Sequence, residues 1–533
     1  MKGNKHMKTI TNIICPAVAL FAFACFALAP QARAVCQDGC LTNNNTAQGD
    51  DALISITTGI NNTALGFNAL LSNTDGNFNT ATGTGALLQN TSGSANTANG
   101  DGSLGSNTTG SANTANGVIA LFNNTEGNDN TAIGWAALYS NVYGFANVAI
   151  GETALDNNVG GAYNVAVGVS ALYYNTSGYY NTADGWSALS NNTASSNTAV
   201  GDYALFSNTT GVANTARGDV ALFSNSTGGF NTATGQGALY SNTTGTANTA
   251  DGAGALVNNT TGGDNTANGT NALISNTIGD ANTATGSGAL GPNTTGSWST
   301  ATGTNALFSN TTGSFNTADG AGALQNNTSG SANIALGNNA GSNLTTGHNN
   351  IDIGNGGVAG ESNTIRLGTE GTQKKTFIAG ISTTGVMGSV LKISSSGQLG
   401  VAPSSARFKQ EIQSMAKASD SLLALRPVTF RYKKEIDPEG IQQFGLVAEQ
   451  VEKINPDLVA HDADGKPYTV RYEAVNAMLL NEFLKEHRRI EEQDKRIDQL
   501  TAQLKEQAAL IRKVNDKVEL NKPTPETVLN NQR

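Results

Sequence analysis

Charge, histidine, cysteine and proline are all scarce in this chain. Charged residues make up 13% of its 533 positions, about half the usual share, and there are 4 His, 4 Cys and 10 Pro. So little charge excludes a string of several ordinary domains. Basic residues are scarcest in the middle, where residues 35–403 hold five Lys/Arg against nineteen Asp/Glu, a net charge of −14. Such a surface cannot neutralise phosphates by releasing counterions, which excludes nucleic acid as its partner. Beyond the N-terminal leader only His348, His461 and His487 remain, and none lies near a plausible Ser and Asp in sequence. Acids in the repeats are scattered singly, as at Asp184, Asp251 and Asp319, so neither a metal nor a cofactor is expected.

The N-terminus pairs Lys2, Lys5 and Lys8 with an apolar run from Ile13 to Leu28 and the small-x-small triplet Ala32-Arg33-Ala34. This is the pattern of a cleaved signal peptide over residues 1–34, and it predicts an exported protein, secreted or at the cell surface. No later run is long and apolar enough to span a membrane, so no integral membrane segment is expected once the leader is gone. Cys36 and Cys40 then lie in an oxidising compartment, where a disulfide and two free thiols are both open.

What the chain has in abundance is Gly, 63 in all, and a repeat. Asn62-Thr63-Ala64 recurs every 17 residues to Asn181, then after one 16-residue step at Asn197, and again every 17 residues to Asn350, with Ser299 at one anchor. Each of these 18 anchors is followed four residues later by Gly, and the first 16 are followed eight residues later by Leu, from Leu70 to Leu324. Each interior Gly would cost a helix about 1 kcal/mol, whereas Thr suits strands and Asn and Gly tolerate the positive φ of corners. The pattern predicts a mainly β fold over residues 61–354: a parallel β-roll or β-solenoid, one coil per repeat and two short strands per coil. At about 4.8 Å per coil, 18 coils give a shaft roughly 85 Å long. With one Leu and two Ala per coil the core is thin, which predicts a homo-oligomer whose Leu ladder faces identical chains. Such units resemble the head repeats of trimeric autotransporter adhesins, a likeness that implies a left-handed parallel β-roll and a homotrimer.

Beyond a short N-terminal segment (35–60) and the repeats, residues 355–403 read as a β-rich neck. From Ser404 the charge density jumps. Ser414–Leu425 has the pattern of an amphipathic helix and Val428–Tyr432 that of a strand. Phe483, Ile490, Ile497, Leu504, Ile511 and Val518 stand seven apart, with Leu500 and Val514 in the second seam, which predicts a coiled coil over 481–520 and a tail at 521–533.

Three runs occur in order: Ser404-Ser405-Ala406-Arg407-Phe408-Lys409 with Ile412, then Leu425 through Lys433 around Pro427-Val428-Thr429-Phe430-Arg431-Tyr432, then Gly445 through Val459. They resemble the endosialidase-type intramolecular chaperone, or peptidase S74, domain. The likeness implies an α+β chaperone domain over 404–480 that trimerises the upstream fibre and then cuts itself free, with Ser404 as nucleophile and Lys409 as base. A lysine takes up a serine proton only when burial or positive neighbours lower its pKa. Ser405 stands where the family has an acid, which leaves the Ser404 and Ser405 sides both open for the cut. A permanently attached trimerisation tail is the competing reading, and a carbohydrate-degrading spike a weaker one. A host-surface or glycan ligand would suit such a fibre, but no residue of the repeat names it.

Overall fold

The computed structural model describes residues 39–521, apart from 374, 379–389, 395–396 and 463. The signal-peptide segment and Cys36 lie outside the described residues. Two units are distinct, divided after Phe377.

In the first unit the Thr-Ala-x after each anchor becomes a three-residue strand. Twenty such strands, from β2 (Thr46–Gln48) to β21 (Ile365–Leu367), pair in parallel, alanine on alanine as far as Ala335, and β1 (Gly39–Cys40) closes the N-terminal edge antiparallel to β2. The parallel β-solenoid with 17-residue repeats is therefore the fold of this unit. It begins one period earlier than residue 61, at Asn45-Thr46-Ala47-Gln48-Gly49. The 16-residue step leaves the ladder unbroken: Thr182 pairs with Thr198, and the Ala194 carbonyl accepts the Asn181 and Asn192 amides that a corner glycine accepts elsewhere.

Three expectations are corrected. Each coil holds one strand, not two, and the rest of the coil is turns bonded to the same turn of the next coil, as when the Leu70 N–H donates to the Ala86 carbonyl (3.0 Å). The cause is the backbone at leucine: Leu70 has φ 53°, and the other ladder leucines lie close to that value. Positive φ costs an L-residue about 1–2 kcal/mol, and complete burial of the leucine side chain offsets it. Second, the anchor asparagines are not positive-φ corners. They are buried, and each builds a ladder: Asn79 donates its backbone N–H to Asn62 Oδ1 (2.9 Å) and its Nδ2 to the Gly93 carbonyl (2.8 Å). A second ladder runs through Asn73, Asn90 and Asn107, with Nδ2 to Oδ1 contacts of 2.7 and 2.6 Å. Third, the Leu ladder does not face sister chains. Leu70 to Leu324 are fully buried inside their own coils against two alanines each, save that Ser103 replaces one of them beside Leu104. The close wrap depends on glycine: at Gly134 (φ 135°) a Cβ would sit 2.4 Å from the Gly151 carbonyl oxygen.

In the second unit two hairpins and two helices enclose a small core. Ahead of them β22 (Lys392–Ile393) pairs with β23 (Leu399–Gly400); around the core β24 (Val428–Phe430) pairs with β25 (Gln443–Gly445), and β26 (Val459–His461) with β27 (Pro467–Val470). The segment expected as an α-helix over 414–425 is a 3₁₀ helix, Ala416–Ala424, and the strand expected over 428–432 stops at Phe430. The heptad segment forms a helix that begins earlier than 481, spanning Tyr472–Leu520. No helix of the described residues is long and apolar enough to cross a membrane.

Candidate assembly and cleavage site

Val451, Leu458, Val459, Val470 and Met478 make the small core, with Met415, Leu422 and Val475 packed on it. Asn455 caps the turn at Pro456 by accepting the Asp457 N–H (3.1 Å), and Arg471 Nη1 donates to the Asp457 carbonyl (3.1 Å). Gly445 lets the β24–β25 hairpin approach the long helix: a Cβ there would meet Tyr472 Oη at 2.7 Å, and that oxygen accepts the Leu446 N–H (2.9 Å). An apolar cavity of about 630 Å³ opens between Leu423, Pro427, Phe444 and Leu479.

Ser404 lies two residues before a single 3₁₀ turn, Ala406–Phe408, and is followed by Ser405 in extended conformation. Lys409 closes that turn, its backbone N–H donating to the Ala406 carbonyl (3.0 Å). Both side chains are exposed, and among the described residues no hydrogen bond joins them. Arg407 lies over the Phe408 ring, 4.6 Å from its centroid.

A hydrogen-bonded serine and lysine do occur, at positions that sequence reading did not single out. Ser419 is fully buried and donates to Glu482 Oε1; its Oγ accepts from Asn481 Nδ2 (2.6 Å) and Lys485 Nζ (3.1 Å). Lys485 also reaches Asp420 and Glu482, both at 2.6 Å. The hydrogen bonds to Asp420 and Glu482 raise the Lys485 pKa, and those from Lys485 and Ser419 lower that of Glu482. A lysine held charged cannot take a proton from serine, so this cluster clamps the 3₁₀ helix to the long helix rather than activating Ser419. Its only sequence trace is the Glu482/Lys485 spacing; the partner lies over 60 residues away.

Residues 404–460 match a known family model. It is Peptidase_S74, chaperone of endosialidase. The match runs from Ser404 through Ala460, so it holds all three runs noted above, both hairpin strands around Gly445 and most of the small core. It does not extend into the repeats. No match to the chain was found among curated proteins or solved structures.

At its other end the solenoid is closed by unusual polar residues. The last full coil replaces the ladder leucine with Gly341, moves a buried leucine to Leu344 where an asparagine belongs, and so leaves Asn327 Oδ1 without a partner. Asp352, 1% exposed, stands where the other coils have alanine, and neither of its oxygens is hydrogen-bonded. Burial, then the nearby Glu361, raise its pKa to about 6, while Arg366 opposes them. Arg366 itself is tied to Glu361, with Nη2 to Oε2 at 2.7 Å. Among the described residues no group of three or more His, Cys, Asp and Glu is placed to hold a metal ion.

Proposed function

We propose that this chain is an exported, homotrimeric fibre or adhesin-like protein whose C-terminal segment assembles the shaft in register and then cuts itself off near Ser404. The observation that carries the reading is a ladder of nearly identical coils joined to a segment that matches a chaperone family. Identical coils make register ambiguous, since a slip of one coil pairs almost as well, and an oligomerising end removes that ambiguity. The long helix supports this. Phe483, Ile490, Ile497, Leu504, Ile511 and Val518 are 52–66% exposed in the single chain, as a seam awaiting parallel partners would be.

For cleavage, Ser404 Oγ attacks a neighbouring peptide carbonyl, Lys409 takes the hydroxyl proton and returns it to the departing amine, and water then frees the ester. Lys409 is exposed in the single chain, so it becomes a base only when assembly buries it, which couples the cut to trimerisation. Expression of wild type, Ser404→Ala and Lys409→Ala tests this: wild type gives two fragments and both variants one band. A single full-length band in wild type sinks the cleavage step.

The separation of Ser404 from Lys409 favours one alternative, a structural fibre that keeps its trimerisation tail. Mass spectrometry of the exported protein separates the two, because the alternative leaves the helix attached to the shaft.

A further inference from the structure

Since each ladder leucine is spent on its own coil, any contact between shafts must use another position. The residue directly after the leucine is the outward position richest in large apolar side chains. From Leu71 to Gln325 it is Leu, Ile, Val, Phe or Tyr in eleven of sixteen coils. The outward position that follows the strand alanine is apolar in only five of the same sixteen coils and carries Asp or Arg in four. Where rings adjoin they stack: Phe122 lies on Tyr139 with centroids 5.6 Å apart, and Phe206, Phe223 and Tyr240 stack in series at 5.3 and 5.2 Å, while Gly105, Asp156, Ser190, Gly291 and Gln325 interrupt the column. Most are half-buried.

We infer that this stripe is the surface by which copies of the shaft meet. A ladder that repeats once per coil along the shaft can be followed throughout only by an object of the same pitch, and a second copy of this chain is such an object. Sixteen coils at about 4.8 Å make a strip about 75 Å long, and at about 10 Å wide it offers about 750 Å² per chain. That is close to the roughly 800 Å² each partner contributes to a stable interface. The inference rests on the trimer reading above, in which the helical seam brings the copies parallel and in register, coil beside equivalent coil. The other large apolar outward residues, such as Tyr180 and Phe230, stand at a separate position of the repeat, just before an anchor, and are assigned to solvent rather than to the contact.

The test uses the full chain with its four native cysteines changed to serine. Val257→Cys, in the stripe, is compared with Ala247→Cys, before an anchor, each treated with a short bis-maleimide at low protein concentration, with Ile274→Cys as a second stripe variant. Light scattering gives the mass of each sample first. The inference predicts trimers in which both stripe variants cross-link to a doubled band at least tenfold faster than Ala247→Cys. Trimers in which Ala247→Cys cross-links and the stripe variants do not overturn the assignment of the face while leaving the trimer intact. Monomers that cross-link nowhere overturn the trimer reading and the stripe with it.

Discussion

Asp352 pairs in register with Ala335 on the parallel ladder, a buried carboxylate set in the column where the coils before it place alanine. Its neighbour on the other side is Arg366, but the Arg366 guanidinium is engaged with Glu361, and both Asp352 oxygens are left without hydrogen bonds. Its pKa is raised from 3.8 to about 6, so the folded end coil prefers the protonated form. The stabilisation is full below about pH 4 and is lost as pH rises through about 6, up to about 3 kcal/mol in all. Amide exchange over 334–367, corrected for intrinsic rate, should show greater protection at pH 5 than at pH 7.5. Asp352→Ala, which restores the repeat, should remove that difference and raise protection at pH 7.5; unchanged pH dependence in this variant would refute the assignment.

The asparagine ladder predicts a graded response at its anchors. Asn147 Oδ1 accepts the Asn164 N–H (3.0 Å), and its Nδ2 donates to the Gly161 carbonyl (2.8 Å). Asn147→Ala leaves the buried Asn164 N–H unpaired and takes from the Gly161 carbonyl one of its two donors, the other being Asn158 Nδ2, at about 1–3 kcal/mol in all. Asn147→Ser should cost less than half as much, because the chain already carries Ser299 at one anchor, where the hydroxyl accepts the Asn316 N–H (3.2 Å). Denaturant midpoints of the two variants check the order.

Two glycines should differ sharply. Gly134→Ala drives a Cβ into the Gly151 carbonyl at 2.4 Å, so the coils must separate, and exchange protection around 131–151 should collapse. Gly237→Ala meets nothing within 4 Å at φ 64° and should cost about 1 kcal/mol. Equal effects would contradict the packing described here.

In the segment that matches the chaperone family, the proposed mechanism predicts that Ser404→Ala stops cleavage, while Ser419→Ala leaves the fragments intact and lowers only the stability of the fold. Cleavage lost in Ser419→Ala and kept in Ser404→Ala would transfer the nucleophile's role. Under the proposed coupling of cleavage to assembly, Ile497→Asp in the helical seam should slow fragment formation at least tenfold.

Much of this was legible in the sequence, and the gaps have physical causes. The Asn, Gly and Leu registers reveal a solenoid because a coil of fixed length demands the same residue at the same corner. Asn45-Thr46-Ala47 with Gly49 fits the same unit, so the first coil was readable one period before Asn62. The direction of the Leu ladder was not, since burial within a coil required Leu70 to adopt a left-handed backbone that leucine ordinarily avoids. Asp352 is visible as a break in the alanine column, but its isolation depends on Arg366 turning to Glu361. The Ser419–Lys485 contact spans 66 residues and leaves no periodic trace.

The most direct measurement is the solution mass of the full chain beside one truncated before Ser404, by light scattering at several dilutions. Three copies are expected for the full chain, and for the truncated chain a mixture of masses without a fixed register. A full chain that runs as a folded single copy, or a truncated one that assembles into the same uniform trimer, would contradict it.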